Sequence, residues 1–342
     1  MASRMTTADL RLVPAGHPRA QRVAVLEAPR RLILAHAEIP EPGPDEVRIK
    51  VHWVGVCGSD IEAFRGTRQP EFLTTPARLG HEVAGTVDSV GAAVEGLQPG
   101  DRVVCRYVWG AFAEFIVCRP FNLLRLPDAM PLRDASLIEV LPGILHAAEL
   151  GAIDQNKRVL IMGQGVSGLI MTQVARLFSP KALAVTDLKP RNLALARRYG
   201  ATHAYQLPGG DAPTMAVAGG DFPDGFEVVI PCLLEGDGMA DALHCAAFGG
   251  RIVLYGCIGM CRKPLDFFKV HRQRLDIFST EPKRDIDMRR WFDEGLRLVA
   301  QGLVNTGGIV THEVPLSGIQ KAFELRDDAV GDAIHVLVNC QA

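Results

Sequence analysis

Several things are scarce in this chain of 342 residues, and each scarcity excludes a class of protein. No apolar run approaches the roughly 20 residues that a membrane-spanning helix needs, so no membrane partner is expected. The opening stretch MASRMTTADLRLVPAGH lacks the apolar segment of a secretory signal, and residues 1–21 are expected to form a flexible leader. The eight cysteines are scattered at 57, 105, 118, 232, 245, 257, 261 and 340. They are too few and too dispersed for a disulfide scaffold and predict a reducing, cytoplasmic setting. The formal net charge is only −2 and the basic residues form no cluster, so nothing favours nucleic acid or an anionic surface as a partner. Internal repeats and low-complexity tracts are also absent.

What is present is an ordinary soluble composition, 48% hydrophobic and 22% charged, in a chain long enough for two domains. From residue 22 to about 140 the texture is β. RVAVLEA, EVRIKVHWVGV, EVAGTVDSVG and DRVVC are short apolar or alternating runs separated by Gly/Pro turns such as EIPEPGPDE and LQPGD. Near 140 the pattern changes. RDASLIEVLPGILHAAELG has helical spacing and stops at Gly151, and strands then alternate with helices: KRVLIMG, VSGLIMTQVARLF, ALAVTD, RNLALARRYG, FEVVIP, GRIVLYG and LDIFST. Such alternation predicts a parallel, doubly wound sheet. DMRRWFDEGLRLVAQG reads as a further helix and AIHVLVNC as a closing strand.

VLIMGQGVSGLI carries Gly163, Gly165 and Gly168 in the order G-x-G-x-x-G, after a strand and at the start of a helix, the context that a dinucleotide-binding turn requires. The first glycine permits the tight turn, the second lets a pyrophosphate approach the backbone, and the third lets helix pack on strand. Val166 and Ser167, with Gly168, open a helix whose free N–H groups suit phosphates. Asp187 ends the next strand, 19 residues beyond Gly168, close to the ~20 expected of an acid that binds the adenosine ribose. Its carboxylate repels a 2′-phosphate and favours NAD over NADP; Lys189 and Arg191 soften that preference.

A lone cysteine or histidine is ordinarily a packing residue. Cys57, however, lies in VGVCGSDIE among glycine and serine, His81 and Glu82 follow Gly80 in LGHEVAG, and Glu139 lies in SLIEVLPG. A thiolate, an imidazole and a carboxylate that leave one position open make a catalytic zinc site, and sulfur with nitrogen argues against magnesium or calcium. His52, His146 and His244 are expected to be structural.

With VCGSD, GHEVAGTVDSVGAAV, LQPGDRVV, AFAEF, IEVLPG and GQGVSG in that order, the chain resembles the zinc-dependent medium-chain dehydrogenase/reductase family, the alcohol and polyol dehydrogenases, from about residue 22 to 340. The resemblance implies an α/β molecule. A Rossmann doubly wound parallel sheet domain, residues 147–282, is inserted into a β-rich GroES-like catalytic domain, residues 22–146 and 283–342. It implies Cys57 and His81 as zinc ligands. Glu139 stands where the polyol branch has a carboxylate, and Glu82 is a ligand in some members and a neighbour of the ligands in others. By the same resemblance Ser59 takes the substrate proton, Asp60 orients the ligand histidine, Cys257 and Thr280 approach the nicotinamide, and the chain forms a homodimer or homotetramer.

Two departures stand out. GDRVVCRYVWGAFAEF leaves no room for the four-cysteine lobe that holds a structural zinc in many members, and Cys105 and Cys118 cannot form a four-sulfur site. One zinc per chain is therefore expected, and the shortened loop sets Trp109 against the substrate pocket. Glu62 occupies the position, three residues after Ser59, where many members place a histidine as proton exit; either Glu62 takes the proton, or the cofactor ribose hydroxyl passes it directly to water. The expected activity is hydride transfer between NAD(P), NAD favoured over NADP, and a secondary alcohol or its ketone. A polyol, sugar or cyclitol fits the carboxylate ligand and the polar SDIEAFR segment, where Glu62 and Arg65 offer hydrogen bonds to extra hydroxyls. Two alternatives stay open: a zinc-retaining reductase of an activated C=C bond or aldehyde, and a non-catalytic nicotinamide-binding sensor.

Overall fold

The computed structural model describes residues 11–67, 73–207, 220–233, 238–255, 261, 263–282, 284–328 and 330–342. Packing divides the chain into two compact units, Met1–Glu139 with Thr306–Ala342, and Val140–Asn305. The borders expected from the sequence are at 146/147 and 282/283. Helix Arg289–Ala300, expected with the catalytic domain, packs inside the second unit, where Gly295 brings its backbone against Leu141. No helix of the described residues is long and apolar enough to cross a membrane.

In the first unit, strand Val47–Gly55 buries Val47, Ile49 and Val51 and turns Arg48, Lys50 and His52 to the other face, the period of two that a half-buried strand requires. It pairs antiparallel with Glu82–Val90, with Phe115–Cys118 and with His335–Asn339. The sheet runs Val310–Pro315, His335–Asn339, Val47–Gly55, Glu82–Val90, Arg102–Cys105, Leu123–Arg125. The last strand of the chain is thus built into the same sheet as Val47–Gly55 and Glu82–Val90, while Ala20–Ala28 and Arg31–Glu38 form a separate two-stranded sheet. Phe64, Phe112 and Phe323 anchor the core beneath it, with Phe323 5.4 Å from each of the other two rings.

The leader, expected to be flexible through residue 21, is held from Arg11 onward. Val13 N–H donates to the His36 carbonyl at 3.0 Å, Glu38 N–H donates to the Arg11 carbonyl at 2.9 Å, and the Arg11 guanidinium pairs with Glu38 at 3.1 Å. The open edge of strand Arg31–Glu38 supplies these partners. A backbone edge leaves no local mark in the sequence of the segment that docks on it.

In the second unit six parallel strands lie in the order His203–Gln206, Ala182–Asp187, Arg158–Met162, Phe226–Pro231, Ala246–Leu254, Asp276–Ser279. Counted along the chain this is 3-2-1-4-5-6, the dinucleotide-binding order, which places a ligand at the carboxyl ends of strands 1 and 4. The helical spacing before Gly151 resolves into helix Leu132–Ala135, a 3-10 turn Ser136–Val140 and helix Leu141–Gly151. Pro142 explains the break. It has no N–H to give and its ring excludes the preceding turn, so it begins a helix rather than continuing one.

Candidate functional site

Cys57 caps helix Gly58–Arg65 just beyond strand Val47–Gly55, and His81 with Glu82 begins the neighbouring strand, in which Glu82 lies opposite Gly55. That register brings separate motifs together. One ligand atom from each of Cys57, His81 and Glu82 lies within 4.8 Å of the others. His81 and Glu82 are 7% and 1% exposed. The N–H and the hydroxyl of Ser59 lie near the Cys57 thiol and favour its ionised form. The Asp60 carboxylate accepts from the N–H of Cys57 and the N–H of Gly80, each at 3.1 Å, and so ties the two ligand-bearing segments to each other. Its Oδ1 lies 3.8 Å from His81 Nδ1, too far for a hydrogen bond.

Burial holds the Glu82 carboxyl well above its usual range, and the nearby Cys57 adds to the rise. Burial also pushes the Cys57 thiol up, with Asp60 contributing in the same direction. His81 Nδ1 and Glu82 Oε2 have no hydrogen-bond partner among the described residues. Desolvated anionic donors crowded around an orphaned oxygen and nitrogen fit a divalent cation, whose charge offsets the cost of ionising them. Sulfur, nitrogen and carboxylate together suit zinc. Glu139 lies outside the 4.8 Å set, partly exposed on the 3-10 turn, but its charge is felt at both Cys57 and Glu82.

Around this centre the Trp109 ring lies 4.7 Å from the His81 ring. Glu62 is partly exposed one turn after Ser59 on the same helix face. Arg65 Nε donates to Asp327, which also takes the Arg30 guanidinium at 2.9 Å, so this arginine joins helix Gly58–Arg65 to helix Ile319–Asp327.

No motif announces two further residues. His335 is fully buried, with Nε2 3.3 Å from Glu82 Oε2. Burial, reinforced by Arg326 and Arg133, pulls its pKa down to about 3 and keeps the ring neutral. Burial likewise lowers the Arg326 pKa, while the charges of Cys57 and Glu82 oppose that drop. The one available signal was a histidine inside the apolar run AIHVLVN, and its meaning depends on a strand pairing far away in sequence. Gly55 completes the arrangement. A Cβ there would lie 2.0 Å from Glu82 Oε2 and 2.6 Å from His335 Nε2.

The second unit holds the glycine turn as its spacing predicts. Gly163 has φ +85°, and a Cβ on Gly168 would lie 1.9 Å from the Gly163 carbonyl oxygen. Gly165 caps helix Val166–Leu177 with no side-chain cap, and a Cβ there would meet open space. The first N–H groups of that helix, at Val166, Ser167 and Gly168, therefore face room for a pyrophosphate. The Asp187 carboxylate accepts from Gln164 N–H at 2.6 Å, from Lys189 N–H at 2.7 Å and from Asn192 Nδ2 at 3.3 Å. It is held beside the turn, where a ribose would reach it. Arg191 is exposed on helix Pro190–Arg198. Thr280 donates its hydroxyl to the Leu254 carbonyl at 2.9 Å, and its own carbonyl meets His146 Nδ1 at 3.1 Å. Cys257 lies outside the described residues.

Comparison with known proteins agrees with this chemistry. Residues 43–128 match the alcohol dehydrogenase GroES-like domain, and residues 167–288 match the zinc-binding dehydrogenase family. Sorbitol dehydrogenase of Bos taurus is 30% identical over 92% of this chain and 95% of its own length. The sorbitol dehydrogenase of Bacillus subtilis (strain 168) is 27% identical over 94% and 98%. A solved structure from Sinorhizobium meliloti 1021, bound to NADP and assigned to the zinc-binding dehydrogenases, is 25% identical with a TM-score of 0.80, covering 94% of this chain and 99% of that one. With a GroES-like unit carrying the Cys57–His81–Glu82 cluster and a Rossmann unit carrying the glycine turn, the chain belongs to the zinc-dependent medium-chain dehydrogenase/reductase family.

Proposed function

We propose that this protein is an NAD-linked zinc dehydrogenase that interconverts a secondary alcohol and its ketone, with a polyol, sugar or cyclitol as substrate. The observation that carries the reading is the convergence of Cys57, His81 and Glu82 within 4.8 Å, with Ser59 on the helix that Cys57 caps. That a relative of 30% identity is a sorbitol dehydrogenase supports the substrate class.

Cys57 and His81 hold the metal, and Glu82 or Glu139 supplies the carboxylate. Asp60 fixes the backbone of both ligand-bearing segments. Zinc held there would supply a Lewis acid for the substrate oxygen, and a nicotinamide seated on the glycine turn would supply the hydride acceptor. Ser59 takes the substrate proton at Oγ, and Glu62, one turn on, passes it to solvent. Trp109 walls the pocket. Gly163, Gly165, Val166, Ser167 and Gly168 seat the pyrophosphate, and Asp187 takes the ribose and selects NAD over NADP. One zinc per chain, a homodimeric or homotetrameric state and a cytoplasmic location complete the proposal.

The test is a spectrophotometric assay at 340 nm over polyols, simple secondary alcohols and enones with each nicotinamide cofactor, before and after chelation. Polyol oxidation with NAD that chelation abolishes and zinc restores is the expected result. Enone reduction that survives complete zinc removal would contradict the proposal in favour of a C=C reductase.

A further inference from the structure

A second feature of the first unit has no part in the dehydrogenase site. A cavity of about 350 Å³ is lined by Arg11, Arg19, Gln21, Glu38, Glu41 and Arg78, with Ile39 and Pro40 between the two glutamates. Its charges do not cancel. Arg11 pairs with Glu38 at 3.1 Å, and Arg19 pairs with Glu41, which also takes Arg48 at 3.0 Å. Arg78 has no carboxylate within ion-pair distance among the described residues. It donates Nη2 to the Gly110 carbonyl, and its Nε is buried without a hydrogen-bond partner. Burial alone pulls its pKa down to about 10, with no counter-charge to raise it.

A guanidinium with its Nε buried and unbonded, one carbonyl partner and no carboxylate among the described residues is an unfavourable arrangement. It persists where something else supplies the negative charge. Guanidinium groups take phosphate oxygens through paired N–H donors, and Arg11 and Arg19 stand at the same cavity with side chains 80% and 48% exposed. We propose that the cavity between the leader and Arg78 is a binding site for a phosphate group, free or carried by a small phosphate monoester, with Arg78, whose Nε is buried and unbonded, as its anchor. Glu38 and Glu41 bound the site and exclude anions too bulky to avoid them. The site borders the metal centre through one connection. Gly110, which Arg78 holds, follows Trp109, and the Trp109 ring lies 4.7 Å from the His81 ring.

The test is isothermal titration calorimetry on the full chain at fixed ionic strength, with inorganic phosphate, glycerol 3-phosphate and chloride as separate titrants. One phosphate per chain is expected, with Arg78→Gln and Arg19→Gln each weakening it at least tenfold. Tighter binding of glycerol 3-phosphate than of inorganic phosphate assigns the site to a monoester; the reverse order assigns it to the free anion. Phosphate binding no stronger than chloride, or unchanged in Arg78→Gln, overturns the proposal. Should Arg78→Gln fail to fold, the rim variant Arg19→Gln decides, and undiminished phosphate binding there overturns it equally.

Discussion

Glu82 and His335 meet in a space that one added carbon would fill, because a Cβ on Gly55 would sit 2.0 Å from the carboxylate oxygen. This contact shows what one residue's neighbourhood reveals and its sequence does not. Cys57, Ser59 and Asp60 lie within four consecutive residues, and His81 and Glu82 adjoin a glycine, so their grouping was legible locally. His335 and Arg326 were not, since each acquires its role only when the last strand and last helix return to the first unit. Asp60 is a subtler case. It was expected to orient the histidine ring, and its carboxylate also accepts from the backbone N–H groups of Cys57 and Gly80. At this scale the account predicts that Ser59→Ala lowers turnover about 100-fold, the ordinary size of acid–base assistance, while zinc content stays at the wild-type level. Steady-state kinetics with a deuterated substrate would check it. Unchanged turnover with a full isotope effect would remove Ser59 from the proton path.

Among the elements, the glycine turn was the most legible because its context is local: a buried strand, three glycines at fixed spacing and an apolar helix. The strand's end also predicted Asp187, and the structure holds that carboxylate with three donors beside the turn. Less legible was the segment before Gly151, where helical spacing hid the break that Pro142 imposes and the short turn that carries Glu139. The docked leader was hidden altogether, since backbone hydrogen bonds to strand Arg31–Glu38 need no particular side chains. The prediction here concerns the cofactor. Asp187→Ala removes a charge that opposes a 2′-phosphate and loses a ribose acceptor. The ratio of kcat/KM for NADP to that for NAD is expected to rise by about tenfold or more, roughly 1.4 kcal/mol in relative binding. A ratio unmoved by the substitution would place cofactor choice elsewhere.

For the whole molecule, the alternation of strand and helix after residue 150 led to the 3-2-1-4-5-6 sheet, because parallel strands demand crossovers and those crossovers are helices. The dense turns before it led to the antiparallel sheet of the first unit. The exact borders were not legible. They depend on which unit helix Arg289–Ala300 packs against, and its amphipathic pattern fits either. Cys105 and Cys118 are both buried in the first unit, near enough for Cys118 to raise the Cys105 pKa. Both pack in that unit's core, and one metal per chain is the proposal made above. The central claim is that Cys57 and His81 anchor that single metal. Zinc counted per chain by inductively coupled plasma mass spectrometry tests it most directly. The account predicts close to one zinc per chain in the native protein and close to none in a folded Cys57→Ser variant. Two zincs per chain, or a full zinc in Cys57→Ser, would contradict it.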